Sequence, residues 1–266
     1  MIDIHTHVLP GVDDGARTIE DSFEMLRIAS AGGTTDIIAT PHANAQYPFD
    51  DTGVRRSFEA LSARVDGSIR LHLGCEVHLD YANLQGILQR SSNYGLAGSR
   101  YVLLELPKLV SMKVALRACE ELIRNELVPV MAHAERNVLM PEHLRELSKW
   151  KQRGGLIQIN GQSLLGGFGR NIKQVSYELV ALGLADFVAS DAHDTTRRSP
   201  DLRSAYDLVC AIYGAATGNR LFVENPAAIL TNSPLRPMNS ASEKRSGVFR
   251  SRLSFFRSIE NTQARA

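Results

Sequence analysis

Histidines and carboxylates in this chain gather at the ends of short apolar runs, and that placement is the first sign of chemistry. In Ile2-Asp3-Ile4-His5 apolar residues alternate with polar ones, the pattern of a short strand buried on one face. Residues two apart in an extended chain point the same way, so the His5 and His7 imidazoles share a side. Two neutral imidazoles converging at a strand end are ready nitrogen ligands for a divalent metal. Asp13 and Asp14 follow across the Pro10-Gly11 turn and offer oxygen ligands nearby. An isolated His-x-His would more often be an ordinary surface pair. Here the signal repeats. Asp36-Ile-Ile-Ala-Thr40 runs into His42, the strand from Ile69 closes on Glu76, and Tyr101-Val-Leu-Leu ends in Glu105. Val128-Pro-Val-Met-Ala132 runs into His133 and Arg136, and Asp186-Phe-Val-Ala-Ser190 into Asp191 and His193. Glu105 is informative because carboxylates among apolar residues are rare unless paired or bound to metal.

The segments between these runs read as helices. Thr18-Ile-Glu-Asp21 is a capping box opening a helix that stops at Gly32-Gly33, with Ile19, Phe23 and Leu26 as its buried stripe. Further helices are expected near 51–66, 112–126, from Pro141 to about Arg153, 172–183, 201–214 and 218–223. Leu156-Ile-Gln-Ile-Asn160 is the sixth of seven strands in chain order, leading into the glycine-rich stretch Gly161–Gly169. That stretch lacks the Gly-Lys-Ser/Thr ending of a phosphate-binding P-loop, so it is expected to shape the mouth of the fold. Strands separated by helices predict a parallel α/β barrel better than an open sheet. In such a barrel the C-terminal strand ends share one face, where such folds build active sites. Residues from His5 to His193 would then meet in one place.

Composition sets the frame for these residues. At 266 residues, 44% hydrophobic and 22% charged, the chain is an ordinary soluble globular protein, better read as one domain than two. A net charge of +1 argues against bulk attraction to nucleic acid. Three cysteines without paired spacing suggest a reducing compartment. No run spans a membrane, and a strand beginning at Ile2 leaves no room for a signal peptide, so the cytoplasm is expected. Charge is uneven: residues 233–266 hold seven Lys or Arg but two Asp or Glu. They are read as a flexible basic tail beyond a domain of residues 1–232. Phe249, Leu253, Phe256 and Ile259 have helical spacing, so a weak contact with a membrane surface or partner is a secondary reading.

The chain resembles the polymerase-and-histidinol-phosphatase (PHP) superfamily, and within it the bacterial tyrosine phosphatases of capsule and exopolysaccharide operons. The resemblance rests on Asp3-Ile-His-Thr-His7, Leu9-Pro-Gly-Val-Asp-Asp-Gly15, Ala39-Thr-Pro-His42, Gly74-Cys-Glu76, Leu103-Leu-Glu105 and Ala132-His-Ala-Glu-Arg136. It continues through Gln158-Ile-Asn-Gly-Gln-Ser-Leu-Leu-Gly-Gly-Phe-Gly169, Ala189-Ser-Asp-Ala-His193 and Asn225-Pro226. It implies a distorted (β/α)7 barrel around three metal ions, most commonly Mn²⁺, with Fe²⁺, Zn²⁺ or Mg²⁺ as alternatives. The implied ligands are His5, His7, Asp14, His42, Glu76, Glu105, His133, Asp191 and His193, with Asp13 left as a turn residue. The implied phosphate-binding arginines are Arg136 and Arg198, although Arg197 lies beside the latter. Ala134 stands where the family usually has proline. The implied substrate is a phosphotyrosine-bearing bacterial tyrosine kinase that controls polysaccharide synthesis.

The residue types suit hydrolysis of an anionic ester by metal-activated hydroxide. Arginines can clamp phosphoryl oxygens two at a time, and a phenolate leaving group, with a pKa of about 10, needs little protonation. Cysteine-dependent phosphatases need Arg six residues past the nucleophile, where this chain has Tyr81, Asn125 and Ala216 after Cys75, Cys119 and Cys210. A metal-dependent amidohydrolase would carry a metal-bridging lysine on a middle strand, the kind of position held by Glu105. A phosphomonoesterase of the histidinol-phosphatase type is the closer rival. His72 and His78 share strand parity with Glu76 but are not expected to be ligands.

Overall fold

The computed structural model describes residues 1–65, 67–107, 110–137 and 143–236. Its strands are β1 (Ile2–Thr6), β2 (Asp36–Ala39), β3 (His42–Ala43), β4 (Arg70–Leu73), β5 (Glu76–His78), β6 (Tyr101–Glu105), β7 (Val128–Met131), β8 (Leu156–Asn160) and β9 (Phe187–Ala189). They pair in parallel, as β1-β2-β4 in one sheet and β3-β5-β6-β7-β8-β9 in another. β2 and β3 are one strand path interrupted at Thr40-Pro41, and β4 and β5 are another interrupted at Gly74-Cys75. Proline has no N–H to give a ladder, which accounts for the first break. A Cβ on Gly74 would lie 2.9 Å from Leu96 Cδ2 and 3.0 Å from Ile38 Cγ2, so the second break needs a residue without one.

The sheet curls into a parallel half-barrel, the distorted (β/α)7 arrangement expected. Its rim closes where Thr6 bridges Ala192, His7 N donates to Ala192 O (2.8 Å) and Asp191 N donates to His5 O (2.8 Å). Lower down it stays open. β4 pairs with β2 alone among the described residues, and the turn Leu96–Gly98 packs beside it. The strand expected to run unbroken from Ile69 to Glu76 is therefore two. The break sets His42 in register with Glu76, two residues with metal-ligand chemistry side by side.

Thr18 caps the helix Ile19–Ala31 as its sequence requires: its side chain accepts from Asp21 N and Asp21 Oδ2 accepts from Thr18 N, both at 3.1 Å. The buried face is turned from the expected stripe, to Ser22, Met25, Leu26 and Ala29, with Ile19 and Phe23 half-buried at its edge. Helices Tyr81–Gln89 and Ser91–Tyr94 occupy a stretch without a clear sequence signal. Gly161–Leu165 is a short helix leaving β8 directly, not the loop its glycines suggested. The helix expected near 218–223 is instead Ala215–Asn219, a π-helical Arg220–Glu224 and Asn225–Leu230. Pro141 lies outside the described residues, and the helix there is described from His143 to Gln152.

The apolar strand faces pack outward against the helices in a core that includes fully buried Trp150, Phe222, Leu104 and Ile159. Met1–Ser233 is one compact unit. Beyond Arg236 the expected basic tail lies outside the described residues, as does its amphipathic stretch. No helix among the described residues is long and apolar enough to cross a membrane.

Candidate metal centre

Polar side chains converge at the C-terminal rim of the sheet. His5 lies on β1 and His7 just beyond it, His42 opens β3, Glu76 opens β5, and Glu105 ends β6. His133 follows β7 and Asp191 follows β9, each with a left-handed backbone (φ 31° and 52°) that bends the chain out of its strand. For non-glycine residues that conformation costs about 1–3 kcal/mol, and it clusters at functional sites.

Glu76 lies at the centre, 1% exposed. Its Oε2 is 3.4 Å from His5 Nε2, 3.4 Å from His7 Nε2 and 2.9 Å from His42 Nδ1, and its Oε1 is 2.9 Å from His133 Nε2. Asp191 Oδ1 is 3.4 Å from His5 Nε2 and 3.6 Å from His7 Nε2. Asp14 Oδ1 lies 3.3 Å from His42 Nε2 and 3.4 Å from His193 Nε2. Glu105 Oε1 is 4.0 Å from His133 Nε2. All nine side chains named from the sequence are thus brought together. Three overlapping groups place their ligand atoms within 4.8 Å of one another: His7, Asp14, His42 and His193; His5, His7 and Glu76; and His42, Glu76 and Glu105. Glu105 is less enclosed than its apolar strand suggested, at 28% exposure, because its side chain forms part of a cavity wall.

This donor set fits divalent ions. His5 Nε2 and His7 Nε2 face each other at 3.2 Å, although each ring already has an acceptor at Nδ1, Gln158 Oε1 for His5 and Asp13 Oδ2 for His7. Two bare nitrogen lone pairs aimed at each other repel, so either a proton carried by His7 or a metal ion must lie between them. A tetrahedral ion with bonds of about 2.1 Å separates its ligand atoms by roughly 3.4 Å, close to the spacings here. Glu76 Oε2, His42 Nδ1 and His133 Nδ1 are buried without a hydrogen bond of good geometry, a costly state that coordination would relieve.

Electrostatics follow from the crowding. Burial opposes charge on Glu76, but His5, His133 and His42 hold its carboxyl well below the usual range. Burial likewise opposes charge on Asp191, and His5, His133 and Arg198 overcome it. Asp14 is held low by hydrogen bonds from His193 and His42. Burial works against protonated imidazoles too, yet the Asp13 carboxylate raises His7 to about 9, and Asp14 and Glu76 raise His42 to about 11.

Both arginines named from the sequence reach Asp191. Arg136 Nη1 donates to Oδ2 at 2.8 Å, and Arg198 Nη2 lies 2.7 Å from Oδ1. The Arg136 guanidinium also lies over the Phe168 ring, 4.7 Å from its centroid. Arg197 is exposed, with Gln162 Nε2 donating to its carbonyl at 2.5 Å. A cavity of about 470 Å³ opens beside the cluster, lined by His78, Glu105, Leu106, Pro107, His133, Arg136 and Asn137.

Four polar residues at the site were given no positioning role from the sequence. Asp13 is not a simple turn residue: its Oδ2 accepts from His42 N (3.1 Å) and lies 2.7 Å from His7 Nδ1. His78 Nδ1 lies 3.2 Å from Glu105 Oε2 on the cavity wall. Gln158 and Asn160 are fully buried in the sheet interior. Their period-two placement on a strand was visible, but not which residues they would meet. His72 stays away from the centre and contacts Asp36 at 3.1 Å. Cys75 is buried, and burial with nearby Glu76 and Asp13 pushes its thiol well above the ordinary value.

A family model for capsular polysaccharide synthesis, CpsB/CapC, matches residues 1–231. The tyrosine-protein phosphatase YwqE of Bacillus subtilis is 34% identical over 253 residues, covering 94% of this chain and 99% of its own. A solved structure from work on YwqE of Bacillus subtilis and CpsB of Streptococcus pneumoniae, described as unique metal-dependent tyrosine phosphatases, superposes with a TM-score of 0.83. It is 32% identical and covers 90% of this chain and 97% of that one. Histidinol phosphate phosphatase of Lactococcus lactis shares the fold alone, with a TM-score of 0.56 at 14% identity over 83% of this chain and 94% of its own.

Proposed function

The chain belongs to the CpsB/CapC family of capsular polysaccharide synthesis and is a metal-dependent tyrosine phosphatase of the YwqE and CpsB type, and from that premise we propose how its residues divide the work. His5, His7, Asp14, His42, Glu76, Glu105, His133, Asp191 and His193 hold a cluster of three divalent ions, Mn²⁺ in the first instance, with Fe²⁺, Zn²⁺ or Mg²⁺ as alternatives. The observation that carries this reading is the overlap of the three ligand groups through His7, His42 and Glu76. Mixed imidazole and carboxylate donors accept any of these metals. Such ions supply an acidified water and positive charge for phosphoryl oxygens.

Arg136 and Arg198 bind the phosphoryl group, and their tie to Asp191 keeps both guanidinium planes beside the cluster. Leu106 and Pro107 give the adjoining cavity an apolar shelf for the tyrosine ring. Asp13 orients His7 through Nδ1, the kind of outer contact that fixes a ligand's tautomer. We assign the catalytic body to residues 1–232 and a tail to 233–266. The substrate is the phosphotyrosine segment of a bacterial tyrosine kinase that governs polysaccharide synthesis, dephosphorylated by this chain in the cytoplasm.

The test is a side-by-side assay on a phosphotyrosine peptide and on histidinol phosphate. Metal-stripped protein is used, with each metal restored in turn. Activity should vanish on stripping, return best with Mn²⁺, and favour the peptide. Full activity after exhaustive stripping, or preference for histidinol phosphate, would refute the reading.

A further inference from the structure

We propose that Gln158 is a positioning residue for the metal centre, whose one side-chain amide sets the tautomer of His5 and, through Asn160, the orientation of Asp191. The inference rests on the ligand roles assigned above to His5 and Asp191.

β8 lies between β7 and β9, so its inward side chains stand between the strand ends that present His133 and Asp191. Gln158 and Asn160 are two apart on that strand, and both are 0% exposed. At the first link, His133 N lies 2.8 Å from Gln158 Oε1. A backbone N–H only donates, so the atom facing it is the amide oxygen. The same oxygen lies 3.2 Å from His5 Nδ1. An oxygen there accepts, so Nδ1 carries the proton and Nε2 is bare. Nε2 is the nitrogen that faces Glu76 Oε2 and Asp191 Oδ1, at 3.4 Å each.

The other end of the amide continues the chain. Gln158 Nε2 donates to Asn160 Oδ1 at 2.8 Å, which turns Asn160 so that its Nδ2 donates to Asp191 Oδ2 at 2.8 Å. With Oδ2 so engaged, Oδ1 is the oxygen turned toward His5. One backbone N–H thus fixes an amide, the amide fixes an imidazole, and a second amide fixes a carboxylate. An amide suits the first position, since it accepts at one end and donates at the other whatever the pH. A glutamate would set oxygen against oxygen at Asn160, and a methionine would fill the volume with neither function. Buried amides that merely satisfied one another would affect folding and leave metal affinity alone.

The experiment compares the full chain with Gln158→Met and His5→Ala. Each is stripped and titrated with Zn²⁺ against a chromophoric chelator, and the metal-free forms are melted. Gln158→Met should weaken the tightest Zn²⁺ site by about 10–100-fold, the usual loss when an outer partner of a ligand is removed. It should do so in a chain that still melts cooperatively. Wild-type affinity in Gln158→Met, with loss in His5→Ala, would overturn the positioning role while sparing the ligand assignment. Wild-type affinity in both would overturn the assignment, and this inference with it. A readout independent of any variant is long-range ¹H–¹⁵N correlation on the ¹⁵N-labelled, Zn²⁺-loaded wild-type chain. His5 should carry its proton on Nδ1, and a proton on Nε2 would overturn the proposal.

Discussion

Gly15 is not a candidate ligand, yet replacing it with alanine should disable the centre. A Cβ there would lie 2.0 Å from His7 O, 2.5 Å from His7 Cβ and 2.8 Å from His7 C. None of these atoms is the tip of a flexible side chain, so the backbone must move by about 1 Å to restore ordinary contact distances. The segment has little room to yield. Ala16 N donates to His7 O (3.0 Å), Gly11 N to Ala16 O (2.8 Å) and Gly15 N to Asp13 Oδ1 (2.9 Å). If the loop opens, it takes Asp13 away from His7 Nδ1. If His7 gives way, its imidazole leaves the other ligands. Overpacking of this kind costs about 1–3 kcal/mol of stability. Misplacing a catalytic group by about 1 Å costs on the order of 100-fold in rate. Gly15→Ala should therefore lose on the order of 100-fold in kcat/KM on a phosphotyrosine peptide, with reduced metal content by mass spectrometry. Gly33→Ala is the contrast: nothing lies within 4 Å of its Cβ, but its φ is +87°. It should cost about 1–2 kcal/mol in a melt from backbone strain alone and leave turnover intact. Normal metal content and rate in Gly15→Ala would refute the reasoning.

Metal loading should release protons. His7 and His42, at about 9 and about 11 without metal, are protonated at pH 7.5 and must be neutral to ligate. Apparent affinity should therefore climb as pH rises from about 7 to 9 and fall as it drops; calorimetry in buffers of different ionisation heat counts the protons, and zero release at pH 7.5 would contradict the reading. Arg136→Ala or Arg198→Ala should retain metal but lose about 2–4 kcal/mol of transition-state stabilisation, seen as a fall in kcat/KM, with lysine rescuing only partly. Arg197→Ala should change kcat/KM little, because that side chain is exposed. Replacing Cys75, Cys119 and Cys210 with serine should leave kcat/KM nearly unchanged, with some stability lost at buried Cys75, whose Sγ donates to Pro41 O; a trapped phosphocysteine would oppose it.

Six of the seven expected strand ends were legible because each carried a local signal, an apolar run followed by His, Asp or Glu. A parallel α/β chain has one place where such ends can meet, so the periodicity also implied convergence. The interruptions at Pro41 and Gly74 were harder to read. Proline announces a break, but Gly74 breaks its strand because Leu96, twenty-two residues on, presses against it. Asp13 and Gln158 were missed for the same kind of reason. Asp13 sits in a turn that explains an aspartate without further cause, and its tie to His42 N spans twenty-nine residues. Gln158 looked like one polar residue in the strand Leu156–Asn160, and its worth depends on His5 Nδ1, 153 residues away. Sequence showed which residue types could do chemistry; the groups that aim them depend on packing between strands.

The charge balance of the centre ties these observations together. Asp13, Asp14, Glu76, Glu105 and Asp191 face the histidines, while Arg136 and Arg198 are the arginines that reach Asp191. With neutral imidazoles such a site is net negative and repels a phosphate ester. The raised titration of His7 and His42 is the metal-free chain's answer to that excess, since protons supply the missing positive charge. Divalent ions held as proposed would supply it more fully and free the imidazoles to ligate. The same imbalance explains why both guanidinium groups turn to Asp191, the carboxylate that also lies beside His5. On the proposed assignment Asp191 is where the metal side and the phosphate side of the site would meet, with one oxygen toward His5 and Arg198 and the other toward Arg136 and Asn160. A carboxylate with both duties would have to be held in one orientation, which is the task proposed for the amide relay from Gln158.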